Sequence, residues 1–153
     1  MPTATTGAAR IEIDATPLAL YELISDIPRM GEWSPACYRC EWLDGATTAA
    51  VGARFRGHNR LGPYRWQTTA VVTVAEPGRE FAFAILHENG REETLWRYRF
   101  RPAAKGAEVL EAYEFLWCPI SLRIAELLIP RDKQLRRGIQ ETLRRIKMAA
   151  EQT

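Results

Sequence analysis

In the stretch Thr94-Leu95-Trp96-Arg97-Tyr98-Arg99-Phe100-Arg101, large rings and arginines take alternate positions. A period of two places Thr94, Trp96, Tyr98 and Phe100 on one face of a β-strand and Leu95, Arg97, Arg99 and Arg101 on the other, so one face is packed and one is solvated. The same alternation continues on both sides. Downstream, Pro102 to Gly106 reads as a turn, and Val109, Glu111, Tyr113, Phe115 and Trp117 share the next face. Upstream, Asn89-Gly90 is a hairpin signal preceded by Phe81, Phe83 and Ile85. Glu76-Pro77-Gly78-Arg79 is a turn, and Trp66, Thr68, Ala70, Val72 and Val74 alternate before it. Further back, Leu61-Gly62-Pro63 and Asp44-Gly45 are turns. They separate Ala53, Phe55 and Gly57 (opposed by Arg54, Arg56 and His58) from Tyr38, Cys40 and Trp42 (opposed by Arg39 and Glu41). Six strands follow one another at short intervals, and Arg10 to Asp14 supplies a seventh at the start.

Helical spacing appears in two places. Thr16 caps and Pro17 opens a short helix whose face is Leu18, Leu20, Tyr21, Leu23 and Ile24; a second short helix runs from Pro28 to Trp33 and stops at Ser34-Pro35. After Pro119 come Ile120, Ile124, Leu127 and Leu128, then Pro130, then Leu135, Ile139, Leu143, Ile146 and Ala150 on one side of a long helix. The predicted class is therefore α+β: a curved seven-stranded antiparallel sheet with two short helices and a long C-terminal helix. It forms one domain over residues 8–151, after a disordered tail at 1–7.

Composition sets bounds. The chain has 153 residues, 46% apolar and 26% charged, with a net charge of +2, which fits a soluble domain and not a nucleic-acid binder. Met1 to Ala9 lacks a charged start followed by an apolar run, and Ile120 to Ile129 is too short to span a bilayer, so a cytoplasmic protein is expected, with at most peripheral membrane contact. Three cysteines in that setting argue for reduced thiols. Cys37 and Cys40 form a C-x-x-C, but in a regular strand positions i and i+3 point to opposite faces, so their thiols are not expected to meet. No H-E-x-x-H or carboxylate–histidine cluster points to a metal, and no cofactor is implied. His58 shares a face with Arg54 and Arg56 and reads as solvent-directed; His87, before the Asn89-Gly90 turn, reads as a lone exposed histidine.

The inward rings Trp66, Phe81, Phe83, Trp96, Tyr98, Tyr113, Phe115 and Trp117 lie far apart in sequence and converge in such a sheet, either filling a solid core or lining a hollow. Spacing alone does not choose between these. Glu111 falls on the same face, where desolvation would raise its pKa and suit it to general acid/base work; a shifted register or an arginine partner would instead leave it structural.

Several stretches carry a family resemblance: Ile11 to Asp26, Glu32-Trp33-Ser34-Pro35, Val51-Gly52-Ala53-Arg54-Phe55-Arg56-Gly57, the Trp66 strand, Glu76 to Phe81, Glu111-Ala112-Tyr113-Glu114 and Thr142 to Lys147 with Glu151. Together they resemble the polyketide cyclase/dehydrase and lipid transport branch of the SRPBCC superfamily, in its actinobacterial type, across nearly the whole chain. The resemblance implies a helix-grip fold of the START type and a deep apolar pocket between sheet and C-terminal helix. It carries no shared catalytic triad. Its motifs identify the fold far better than the chemistry.

Three functions stay open at this point. One is a carrier of a lipid or polyketide-like molecule, held by Phe55, Trp66, Phe83, Trp96, Tyr98, Tyr113, Phe115, Arg123 and Leu127. Here Tyr98 or Tyr113 would orient a ligand oxygen, and Arg123 would meet a ligand anion or simply lie along the helix surface. The second is a cyclase or dehydratase with Glu111 moving a proton. The third is a regulatory protein using the basic segment Arg131 to Lys147, with seven basic and two acidic residues, on a partner; that segment also reads as a solvated face. The partner expected is a hydrophobic small molecule and not nucleic acid, and a homodimer is left open.

Overall fold

A computed structural model describes residues 6–117 and 131–152. The predicted helix at Ile120 to Leu128, with Arg123 and Leu127, lies outside the described residues.

The elements run β1 (Thr6–Ile13), α1 (Pro17–Ile24), a 3-10 helix (Ile27–Glu32), β2 (Cys37–Trp42), β3 (Arg54–Leu61), β4 (Tyr64–Glu76), β5 (Glu80–Leu86), β6 (Glu92–Ala103), β7 (Gly106–Phe115) and α2 (Arg131–Glu151). One seven-stranded antiparallel sheet has the order β1-β7-β6-β5-β4-β3-β2. Consecutive strands from β2 to β7 are neighbours, joined by short turns from β3 onward and by residues 43–53 between β2 and β3, and β1 closes on β7. With α2 laid along β1, this is the helix-grip arrangement.

Local chemistry explains the elements. The Thr16 Oγ1 accepts the Ala19 N–H at 3.1 Å and Pro17 takes the first turn, so α1 starts where a free first-turn amide is satisfied. Leu20 and Ile24 of α1 are buried, and Tyr21 stands edge-on to Phe81 and Phe100. On α2 the spacing of apolar residues works as expected: Ile139, Leu143 and Ile146 are buried. Each such side chain contributes roughly 1.5–3 kcal/mol by leaving water. Polar groups then fix the helix along the edge strand. Lys147 Nζ donates to the Glu12 carbonyl at 3.0 Å, the Asp14 N–H donates to Glu151 Oε2 at 3.2 Å, and Arg136 donates to the Thr6 carbonyl at 3.3 Å.

Four features differ from the sequence expectation. β1 begins at Thr6, inside the stretch read as a tail, and Gly7 pairs with Tyr113. A Cβ at position 7 would lie 2.5 Å from the Tyr113 ring, so the missing side chain is what lets that ring lie over the strand. Pro102 sits in β6 opposite Ala107, which narrows the turn to Ala104-Lys105. A bulge between Val72 and Val74 sets Val72 opposite Phe83 but Val74 opposite Ala82, so Val74 leaves the face it was predicted to share and Ala75, opposite Phe81, replaces it.

The fourth difference is in β2. A bulge between Cys37 and Arg39 adds one residue, and alternation then restarts. Tyr38 moves to the outer side, where its ring lies 6.3 Å from that of His58 and under the guanidinium groups of Arg60 and Arg65. Cys37 and Cys40 end on the same, buried side.

Candidate functional site

The sheet's inner face carries two cross-strand rows. Phe83 pairs with Trp96 and Trp96 with Tyr113; two residues along, Phe81 pairs with Tyr98 and Tyr98 with Glu111. Directly opposed residues in adjacent strands have side chains in contact range, so register alone brings these groups together. Ring centroids are 5.5 Å apart for the opposed pair Trp96–Tyr113, 5.4 Å for Tyr113–Phe115 along β7, and 5.1 Å for Phe55–Phe83 on either side of β4. Of the residues singled out as ligand-binding, Phe55, Phe83, Trp96, Tyr98, Tyr113 and Phe115 thus share one wall. Trp66, near the β3–β4 turn, stacks on Tyr64 at 5.3 Å. Trp117 follows β7, and its ring meets His87 at 4.9 Å and Arg91 at 4.7 Å.

Glu111 is the only carboxylate buried in this wall among the described residues, at 1% exposure. Its neighbours across the strands are Ala9 and Tyr98. Burial pushes its pKa up to about 8, against a smaller downward pull from a hydrogen bond with Tyr98. At neutral pH the carboxyl is therefore mostly protonated. The Tyr98 phenol is held well above its usual range, first by burial and then by the facing Glu111. Glu111 Oε2 is buried with no hydrogen-bond partner among the described residues. An unsatisfied buried oxygen of this kind costs on the order of 1–3 kcal/mol and is normally met by water or a ligand. A neutral acid beside a phenol, set in rings, can donate to a carbonyl or hydroxyl oxygen, or exchange a proton with one.

The histidines differ from their sequence reading. His58 is on the outer face as expected, but it is buried there and not solvent-directed, because Tyr38, Arg39 and Glu41 cover it; its Nε2 lies 2.9 Å from Glu41 Oε1. His87 is not alone: its Nδ1 lies 2.7 Å from Glu93 Oε1.

The outward arginines are neutralised in place. Arg101 pairs with Glu108 at 2.8 Å, and Glu80 takes Arg99 at 3.0 Å and Arg97 at 3.2 Å. Glu80, Arg99, Arg101 and Glu108 line a polar groove on the outer face. On α2, Glu141 pairs with Arg144 and Arg145, and Lys147 with Glu151. Among the described residues no group of three or more His, Cys, Asp or Glu side chains could hold a metal ion, and no helix is long and apolar enough to cross a membrane.

Sequence reasoning missed the sulfur cluster. Cys37 Sγ and Cys40 Sγ are 3.0 Å apart, with Met30 Sδ 3.5 Å from Cys40 Sγ. The signal was the C-x-x-C itself, discounted because a regular strand separates i from i+3.

Residues 4–151 match the model of a family described as polyketide cyclase/dehydrase and lipid transport. The chain is 32% identical to the Polyketide_cyc-like protein Cgl2372 of Corynebacterium glutamicum, over 99% of this chain and 94% of that one, with a TM-score of 0.64. It also superposes on protein CV1439 of Chromobacterium violaceum (17% identity, 96% and 98% coverage, TM-score 0.71) and on NE0264 of Nitrosomonas europaea (9%, 99% and 97%, 0.73). The last two likenesses speak for the fold alone. No curated protein matches the chain.

Proposed function

The chain belongs to the polyketide cyclase/dehydrase and lipid transport family, and from that premise we propose that it binds a hydrophobic small molecule, lipid or polyketide-like, against the inner face of its sheet. The observation that carries this reading is Glu111: a buried, mostly neutral acid with one oxygen unpartnered among the described residues, placed beside Tyr98 within a wall of rings. A solid core gains nothing from a carboxyl there, since burying it without full hydrogen bonding is costly. A pocket gains orientation, because one polar donor among rings fixes which end of an apolar ligand enters. Phe55, Phe83, Trp96, Tyr113 and Phe115 supply the apolar contact in this account, and Trp66, Arg123 and Leu127 remain proposed contacts at its margin. The setting proposed is cytoplasmic.

A chemical step is the second reading. An acid whose pKa sits near 8 can both give and take a proton at physiological pH, which suits cyclisation or dehydration of a carbonyl substrate; Tyr98 would then hydrogen-bond the developing enolate. The basic face of α2 supports neither reading and favours no third one strongly, because Glu141 and Glu151 already hold three of its cations.

The test is native mass spectrometry of the protein purified from its own host. A co-purified apolar molecule, released on denaturation and retained at high salt, is the expected result. Protein that is uniformly free of small molecules and also fails to take up an added apolar probe would overturn the proposal.

A further inference from the structure

We propose that Cys37 and Cys40 form a peroxide-oxidisable dithiol that closes reversibly to an intramolecular disulfide within β2. The proposal stands apart from the ligand reading, since it rests on the bulge and not on Glu111.

The geometry is built by several independent contacts. The bulge brings the two thiols to one side and to 3.0 Å, about 1 Å more than a disulfide bond. Ser34 Oγ accepts the Cys37 N–H at 3.1 Å, and the Ala36 carbonyl accepts the Arg60 N–H at 2.9 Å, fixing the strand on the near side of the bulge. The 3-10 helix packs on it so closely that a Cβ at Gly31 would meet the Tyr38 carbonyl. Across the sheet, Cys40 faces Gly57; a Cβ there would lie 3.6 Å from one sulfur and 3.7 Å from the other, so both thiols lie over the same bare stretch of backbone. Closing the bond therefore asks the two sulfurs to come about 1 Å closer.

The two thiols are unequal. Cys37 is drawn below the usual thiol range, chiefly by the hydrogen bond from Cys40 and also by backbone groups at Arg39 and His58, against its burial; Cys40 is pushed far up by Cys37 and by burial. In the proposal the drawn-down thiol, Cys37, attacks and Cys40 resolves; the disulfide formed is the same whichever sulfur attacks. The Cys37 thiolate attacks one oxygen of hydrogen peroxide, forming a sulfenic acid and releasing hydroxide, which takes up the proton Cys37 gave. The Cys40 sulfur then attacks the sulfenic sulfur, and its proton leaves with the sulfenic oxygen as a second water. Two thiols and one peroxide become one disulfide and two waters; the sulfurs lose two electrons and the peroxide gains them. A small-molecule dithiol reverses the step by exchange. Both thiols are buried, at 7% and 5% exposure, which makes a small oxidant such as hydrogen peroxide the appropriate reagent.

The experiment treats the reduced, full-length protein with hydrogen peroxide, blocks free thiols with iodoacetamide after denaturation, and maps the peptides by mass. The expected result is a monomer that is about 2 Da lighter before alkylation, with Cys37 linked to Cys40 in the peptide map, restored by dithiothreitol. In Cys40→Ser, the sulfenic acid should persist at Cys37 and react with dimedone. The proposal is overturned if both cysteines stay alkylatable after peroxide. It is equally overturned if the link joins two chains or involves Cys118, or if oxidation runs straight to sulfinic acid without a disulfide. Because the wild-type peptide map decides the matter, a poorly folding variant does not blunt the test.

Discussion

Tyr98 and Glu111 face each other directly across β6 and β7, both buried, and the phenol hydrogen-bonds the carboxyl. The phenol eases ionisation of the carboxyl, while the carboxyl makes ionising the phenol harder, and together they form a polar couple inside an otherwise ring-lined wall.

Replacing Glu111 by Gln should make folding stability less dependent on pH. The folded-state pKa of Glu111, about 8, lies above its unfolded value, so its contribution is fully present below about pH 4.5 and is lost as pH rises through 8. At pH 7 the wild type therefore bears a penalty on the order of 3 kcal/mol that Glu111→Gln lacks. Urea unfolding from pH 4 to pH 9 should show the variant's advantage growing across that window and then levelling. A constant difference between the two curves would contradict the assignment.

Replacing Tyr98 by Phe removes the hydrogen bond that holds the Glu111 pKa down. The carboxyl should titrate at still higher pH, as followed by its carbon resonance in NMR, and stability should fall by about 1–3 kcal/mol because a buried polar group loses its partner. A downward pKa movement would show that the phenol acts in some other way.

Gly7→Ala should cost about 1–3 kcal/mol in thermal or chemical unfolding, because its methyl would need the space of the Tyr113 ring. A neutral result would mean that the ring has another place to lie. Tyr113→Leu should relieve part of the cost, which separates this clash from a general strand effect.

The sheet was legible because most strands keep a period of two over most of their length and most turns carry glycine, proline or Asn-Gly; Thr94 to Phe100 and Val109 to Phe115 landed on their expected faces. What was not legible is where alternation breaks. The bulge at Cys37/Arg39 depends on the packing of Gly31 against Tyr38 and on a hydrogen bond from Cys37 to Ser34, contacts that no local pattern announces. The same break misplaced Tyr38 and hid the approach of two thiols. Val74 was misplaced for a like reason. Glu111 was found because a lone acid among Val109, Tyr113 and Phe115 contradicts its surroundings, and such contradictions survive in sequence. The shielding of His58 depends on long side chains folding over it from the neighbouring strand, which spacing does not encode.

The central claim is that an apolar guest occupies the inner face beside Glu111. Titration of ¹⁵N-labelled protein with N-phenyl-1-naphthylamine, a neutral apolar probe, tests this most directly. The account expects saturable amide shifts centred on Phe55, Phe83, Trp96, Tyr98 and Tyr113, unchanged by added salt. Absence of shifts on those strands, or shifts confined to the outer groove of Arg99, Arg101 and Glu108, would contradict it.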